Sequence, residues 1–240
     1  MMNPTSLTRR RFAAAAGATA LTAVLPRSAR PADAPAWRAA VIGHTGRGNY
    51  GHGLDRVWLD VPGVRVVAVA DANPRGLAAA VKRLDGAKGF DDYRRMLDDV
   101  KPDLVSVAPR WLDQHRDMAV AAAERGVRGI YLEKPFCRTL AEADAIAAAC
   151  AKGKTKLAIA HQKRYSPKLK VMRGLIEAGR LGRVIEIRAR GKGDRRGGGE
   201  DLWVLGTHVL DLMHAFGGKP VSCYGTVLQD GRPAGPGDVK

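Results

Sequence analysis

The apolar run Ala39-Ala-Val-Ile42 leads straight into Gly43-His-Thr-Gly-Arg-Gly-Asn-Tyr-Gly51. A short apolar run closed by a glycine-dense turn reads as a buried strand with an abrupt end. The pattern recurs down the chain. Residues 64–70 end at Asp71, 104–108 at Pro109 and 128–132 at Glu133, and 157–160 closes the series. Helical patterns fill the intervals, as at 77–84 and 118–125. Thr139-Leu-Ala-Glu142 has the spacing of a capping box and opens an alanine-rich helix to Cys150. Buried strands that alternate with helices build a parallel sheet covered on both faces. The expected fold class is therefore α/β, with a doubly wound parallel sheet over residues 35–160.

In such sheets ligands bind at the carboxyl ends of the strands, and three chemistry-bearing segments fall there. Gly46-Arg-Gly48-Asn-Tyr-Gly51 matches G-x-G-x-x-G, which gives a tight turn and close backbone approach to a pyrophosphate. A helix is expected to follow, with its first amides facing the anion. Gly43 serves equally well as the first turn glycine. Asp71, closing the next strand, suits the ribose hydroxyls of NAD, whereas Arg75 suits the 2′-phosphate of NADP. Both cofactors stay open. Glu133-Lys134-Pro135 follows a buried strand, so Lys134 can reach a substrate beside a bound cofactor. The alternative for Lys134 is a solvated surface lysine.

After residue 160 the alternation fades. Pro167 starts a helix with an apolar stripe at Leu169, Met172, Leu175 and Ile176. Residues 184–189 read as a strand, 191–199 as a basic glycine loop, and Leu202, Leu205, Val209, Leu212 and Phe216 as a second helical stripe. Residues 221–228 read as a last strand, and 231–237 as unstructured chain. Residues 161–240 are thus expected to form an incomplete second α/β domain.

The first 34 residues stand apart. Arg9-Arg10-Arg11-Phe12 precedes an apolar stretch to Leu25, and Ala32-Asp33-Ala34 follows as a small-residue cleavage pattern. This layout resembles a twin-arginine export signal, which implies a periplasmic product. No apolar run reaches the ~18 residues of a membrane span, so no stable insertion is expected. The formal net charge of +16 raises the question of polyanion partners. The basic residues are scattered, aromatics make up 5% and there is no zinc-finger spacing, which argues against nucleic acid. Cys137, Cys150 and Cys223 are too few and too far apart for a disulfide framework or a metal site.

Taken in order, these motifs resemble those of the Gfo/Idh/MocA oxidoreductases. The match runs from about Arg38 to Val227 through the glycine turn, Ala70-Asp-Ala-Asn-Pro74, Asp92-Tyr93 and Ala108-Pro109 with His115 following. It continues through Glu133-Lys134-Pro135, Lys163-Arg-Tyr-Ser-Pro167 and Gly206-Thr-His-Val-Leu-Asp211. The resemblance implies a Rossmann-type domain that binds NAD or NADP. It also implies hydride transfer to or from a small-molecule sugar or polyol. It makes Lys134 and His208 catalytic and places Gly43, Gly46, Gly48, Gly51, Asp71, Pro109, His115 and Glu133 beside the cofactor. Arg164 and Asp211 become candidates for substrate or structural polar contacts. No metal is implied, and a homo-oligomer is implied where the second domain is complete.

Two departures qualify that expectation. The family commonly carries an aspartate four residues before the histidine, and here that position is Val204. Asp201 is about two turns, or ~10 Å, from His208 and out of reach, whereas Asp211, three residues on, is within reach. The family's second domain is also a large antiparallel sheet, of which few strands can be read, so the chain reads as truncated there. Two alternatives follow: a nucleotide-binding protein with impaired catalysis, and a basic polyanion-binding protein.

Overall fold

The computed structural model describes residues 37–191 and 204–235. The expected export signal, Asp201, Leu202 and most of the basic glycine loop lie outside the described residues. Six parallel strands form one sheet: β1 (Trp37–Ile42), β2 (Val64–Ala70), β3 (Lys88–Phe90), β4 (Leu104–Val107), β5 (Gly129–Leu132) and β6 (Lys156–Ile159). Their order is β3-β2-β1-β4-β5-β6. The chain starts at the centre, winds out to one edge, returns, and winds out to the other. The strand order reverses between β1 and β4, and the crevice of a doubly wound sheet opens there.

Side-chain alternation explains why the sheet is covered on both faces. Along β1, Ala40 and Ile42 join the core under α2 (Tyr93–Val100), α3 (His115–Glu124) and α4 (Leu140–Gly153). Val41 points the other way and packs with Leu54, Val69 and Leu84 beneath α1 (Pro74–Arg83). The helices start where local chemistry satisfies their first amides. Asn73 accepts from the Gly76 amide at 3.0 Å, Asp92 from Arg94 at 2.8 Å and Thr139 from Glu142 at 3.2 Å. The Glu142 carboxylate reaches back to the Arg138 amide at 2.8 Å, one residue outside the expected capping box.

Three expected elements are absent or reduced. No regular helix follows the glycine turn; residues 45–61 run as successive turns. Asn49, Gly51 and Gly53 take φ of 55, 55 and 82°, which a right-handed helix excludes. Residues 184–189 form no strand, and of 221–228 only Leu228 is paired. Apart from Leu228 and Val227 O, which accepts from the Ala234 amide at 2.8 Å, these segments have strand-like patterns but no paired strand among the described residues to complete their backbone hydrogen bonds. Residues 231–237 are not wholly irregular either. The two-residue strands β7 (Leu228–Gln229) and β8 (Arg232–Pro233) pair around Asp230-Gly231, whose φ values of 52 and 79° suit a tight hairpin turn. The remaining elements are α5 (Pro167–Glu177) and α6 (Gly206–Gly217). No helix among the described residues is long and apolar enough to cross a membrane.

Candidate functional site

β1 ends at Ile42, so Gly43 is the first residue of the turn, and its amide donates to Ala70 O at 2.9 Å. The turn is pressed onto the strand-end loop after β4. A Cβ on Gly48 would lie 2.4 Å from the Arg110 amide nitrogen, and one on Gly51 would lie 2.7 Å from Ala108 O. His44 Nδ1 meets Gln114 Oε1 at 2.5 Å, and Arg47 pairs with Asp113. Gly46 is different: nothing lies within 4 Å of the place its Cβ would occupy. The backbone is open there, as a pyrophosphate requires.

Asp71 is 1% exposed and bonded throughout to its own chain. It accepts from the Thr45 amide at 3.0 Å, Thr45 Oγ1 at 2.6 Å, the Tyr50 hydroxyl at 2.8 Å and the Asn73 amide at 2.9 Å. A cavity of about 150 Å³ opens beside it, lined also by Gly43, Asp91, Asp92 and Tyr93. Arg75, the candidate for a 2′-phosphate, is exposed.

At the end of β5, Glu133 and Lys134 are both buried, Lys134 to 2% exposure, so it is not a solvated surface lysine. Its ammonium donates to Val204 O at 3.4 Å. Glu133 Oε1 meets His52 Nδ1 at 2.6 Å, and Oε2 has no hydrogen-bond partner among the described residues. Burial pushes the Glu133 carboxyl above the usual range, against the pull of His52 and Lys134. His208, on α6, stacks edge-on against His161 with ring centroids 5.8 Å apart. Each ring has a buried Nδ1 with no hydrogen-bond partner among the described residues. Burial pushes the His208 imidazole down to about 4, and Lys134, Lys163, His161 and His52 press the same way. At neutral pH the ring is uncharged.

Two assignments need correction. Asp211 does not bond His208; its carboxylate is held by Arg164, with Nε at 3.0 Å, so the pair ties α6 to residues 162–165. The i, i+3 spacing permits a contact, but the guanidinium, a charged and bidentate partner, takes the carboxylate. His115, expected beside the cofactor, is turned inward. It is fully buried, with Nε2 at 2.6 Å from Pro109 O and Nδ1 at 3.1 Å from Phe136 O. The ring braces the loops after β4 and β5. Thr45, Tyr50, His52 and His161 were not singled out by sequence reading. Thr45 and Tyr50 lie inside the glycine turn and His52 directly after it, where the motif specifies only the glycines.

Residues 37–161 match the profile of an oxidoreductase family described as having an NAD-binding Rossmann fold. The chain belongs to the Gfo/Idh/MocA oxidoreductase family. It is 31% identical over 125 residues to D-apiose dehydrogenase of Paraburkholderia graminis, covering 52% of this chain and 33% of that protein. To levoglucosan dehydrogenase of Pseudarthrobacter phenanthrenivorans it is 29% identical over 184 residues, or 70% and 46%. The chain thus spans half or less of these curated relatives. The fold is shared with the crystal structure of scyllo-inositol dehydrogenase from Lactobacillus casei, solved with NAD(H) and scyllo-inositol. That likeness has a TM-score of 0.63 at 16% identity and covers 75% of this chain and 56% of the other. As a Gfo/Idh/MocA member the chain carries an NAD(P)-binding domain, and its residues fit the cofactor. The open backbone at Gly46 suits a pyrophosphate, Asp71 lies at the carboxyl end of β2, and Glu133 Oε2, beside Gly51, has no hydrogen-bond partner among the described residues.

Proposed function

We propose that this chain performs NAD(P)-dependent oxidoreduction at a hydroxyl-bearing carbon of a sugar or polyol. The observation that carries the reading is the buried Lys134 ammonium at the end of β5, beside the strand-order reversal. When bound, the nicotinamide supplies the hydride acceptor or donor. Lys134 binds the reacting oxygen and stabilises its alkoxide character; burial strengthens the effect because no water screens it. His208, neutral and with an unbonded Nδ1, takes the hydroxyl proton in the oxidative direction.

His208 is a weak base in this setting. Two lysines surround it, and Val204 leaves it without the carboxylate that would steady an imidazolium. That favours a second reading, a nucleotide-binding protein with low turnover. Lys134→Met separates the two. If the chain turns over a sugar or polyol, kcat falls on the order of 10²-fold while NAD affinity holds. An unchanged kcat removes Lys134 from the chemistry. Wild-type NAD binding without turnover of any sugar or polyol supports the low-turnover reading.

The localisation we propose is periplasmic, by the twin-arginine route. It is supported by Arg9-Arg10-Arg11-Phe12 ahead of the apolar stretch and the Ala32-Asp33-Ala34 pattern. That route carries folded proteins, which suits a protein that loads a cytoplasmic cofactor. Changing Arg9 and Arg10 together to Lys is expected to retain the protein in the cytoplasm; unimpeded export sinks the idea.

A further inference from the structure

The carboxylate of Asp71 has no acceptor position left. A carboxylate offers about four lone-pair sites. Oδ1 accepts from the Asn73 amide at 2.9 Å and the Thr45 amide at 3.0 Å. Oδ2 accepts from Thr45 Oγ1 at 2.6 Å and the Tyr50 hydroxyl at 2.8 Å, and shares the Thr45 amide at 3.1 Å. Yet this is the carboxylate at the end of β2, where a dinucleotide's adenosine ribose presents its two hydroxyls as donors. Ribose and protein hydroxyls must therefore compete for Oδ2.

The protein's donors are not alike. The Thr45 and Asn73 amides are fixed by the backbone, whereas the two hydroxyls can rotate away. Tyr50 is the better held of these two. Its ring covers Gly43, where a Cβ would lie 2.1 Å from a ring carbon, and the Arg83 guanidinium sits 4.9 Å from the ring centroid. Arg83 is anchored in turn by Asp55 at 2.5 Å. Burial and the neighbouring Asp71 carboxylate raise the phenol above its ordinary range, so it stays protonated and donates.

We propose that the Tyr50 hydroxyl is a latch on Asp71 that holds Oδ2 until a ribose diol displaces it, and so lowers affinity for NAD specifically. The inference rests on the cofactor reading above. NADP has no free diol to compete with. Its 2′-phosphate also meets the carboxylates of Asp71, Asp91 and Asp92 around the same cavity. Release of the latch therefore helps NAD and does nothing for NADP.

The test is calorimetric titration of NAD and of NADP onto the full chain, as wild type, Tyr50→Phe, and Tyr50→Phe combined with Asp71→Asn. Phenylalanine keeps the ring between Gly43 and Arg83, and circular dichroism checks the fold. Tyr50→Leu removes the same hydroxyl with a smaller side chain and carries the same expectation, so misfolding of one variant leaves the other to decide. The expected result is an NAD affinity about tenfold higher in Tyr50→Phe, the scale of one hydrogen bond to a charged group. NADP affinity is unchanged, and the NAD gain disappears when Asp71→Asn is added. Unchanged or weaker NAD binding overturns the latch and leaves the cofactor reading standing. Equal gains for both nucleotides also overturn it, because general loosening of the turn would do that. If folded wild type and folded variant both fail to bind NAD, the cofactor reading falls and takes the latch with it.

Discussion

Ile146 and Ile185 are the same side chain in opposite situations: the first is 0% exposed and the second 87%. Ile146 lies on α4, which packs against the sheet whose six strands each have a parallel neighbour. Ile185 lies in a run with a strand's composition and no strand paired to it among the described residues. Leu181, Val221 and Tyr224 are exposed as well. The difference teaches that apolar patterning marks which residues want burial, while a neighbouring element decides whether they get it. The first part of the chain supplies its own neighbours through βαβ crossovers, and residues 181–191 and 218–227 do not.

The comparison can be broken by stability measurements, and the largest effect should come from the buried side. Ile146→Ala removes a fully buried side chain and is expected to cost about 2–5 kcal/mol by denaturant titration. A loss below ~1 kcal/mol would mean that α4 is not packed as described. Gly48→Val should cost about 1–3 kcal/mol, since its side chain must displace the backbone of Arg110 and Trp111. It should also abolish NAD binding, because the turn cannot keep its shape. Retained NAD affinity would show that this turn is not the cofactor site.

Acid should sharpen the contrast at the crevice. His208 titrates near 4 in the folded protein against about 6.5 when unfolded, so the unfolded chain binds the proton first. Stability from this group is complete above pH 6.5 and is lost as pH falls from there toward 4. His161 is depressed in the same direction by burial. His208→Gln should flatten the thermal midpoint against pH over that window; an unaltered slope refutes the burial argument. The smallest effect is expected at Ile185→Ser, within about 0.5 kcal/mol of wild type. If it matched Ile146→Ala, residues 181–191 would be covered in solution and the comparison would collapse.

The parts legible in sequence were those fixed by local periodicity. The ends of β1, β2, β4 and β5 were readable because apolar runs stop at Gly43, Asp71, Pro109 and Glu133. The crevice could be placed from those ends alone. The helix expected after Gly51 failed because a motif match does not report the positive φ of Asn49 and Gly53. The strand at 184–189 failed because composition does not report a missing neighbour. Within the site, the pairings hidden from sequence reading join residues far apart in the chain. His52 with Glu133 and Arg164 with Asp211 are two such pairs. The Asp230-Gly231 hairpin was a local signal that went unread.

The segment from Tyr50 to His52 touches the fold at two places, at the ends of two different strands. Tyr50 binds Asp71 on the adenosine side, and two residues later His52 binds Glu133 on the Lys134 side, with Gly51 packed against the same Glu133 carboxylate. A single residue, Gly51, separates the two contacts. If the proposed function holds, the cofactor and substrate equilibria are linked, and linkage is symmetric. Whatever factor NAD contributes to the affinity for a sugar, the sugar must return to the affinity for NAD. On that reading a short stretch of backbone makes each ligand a reporter of the other.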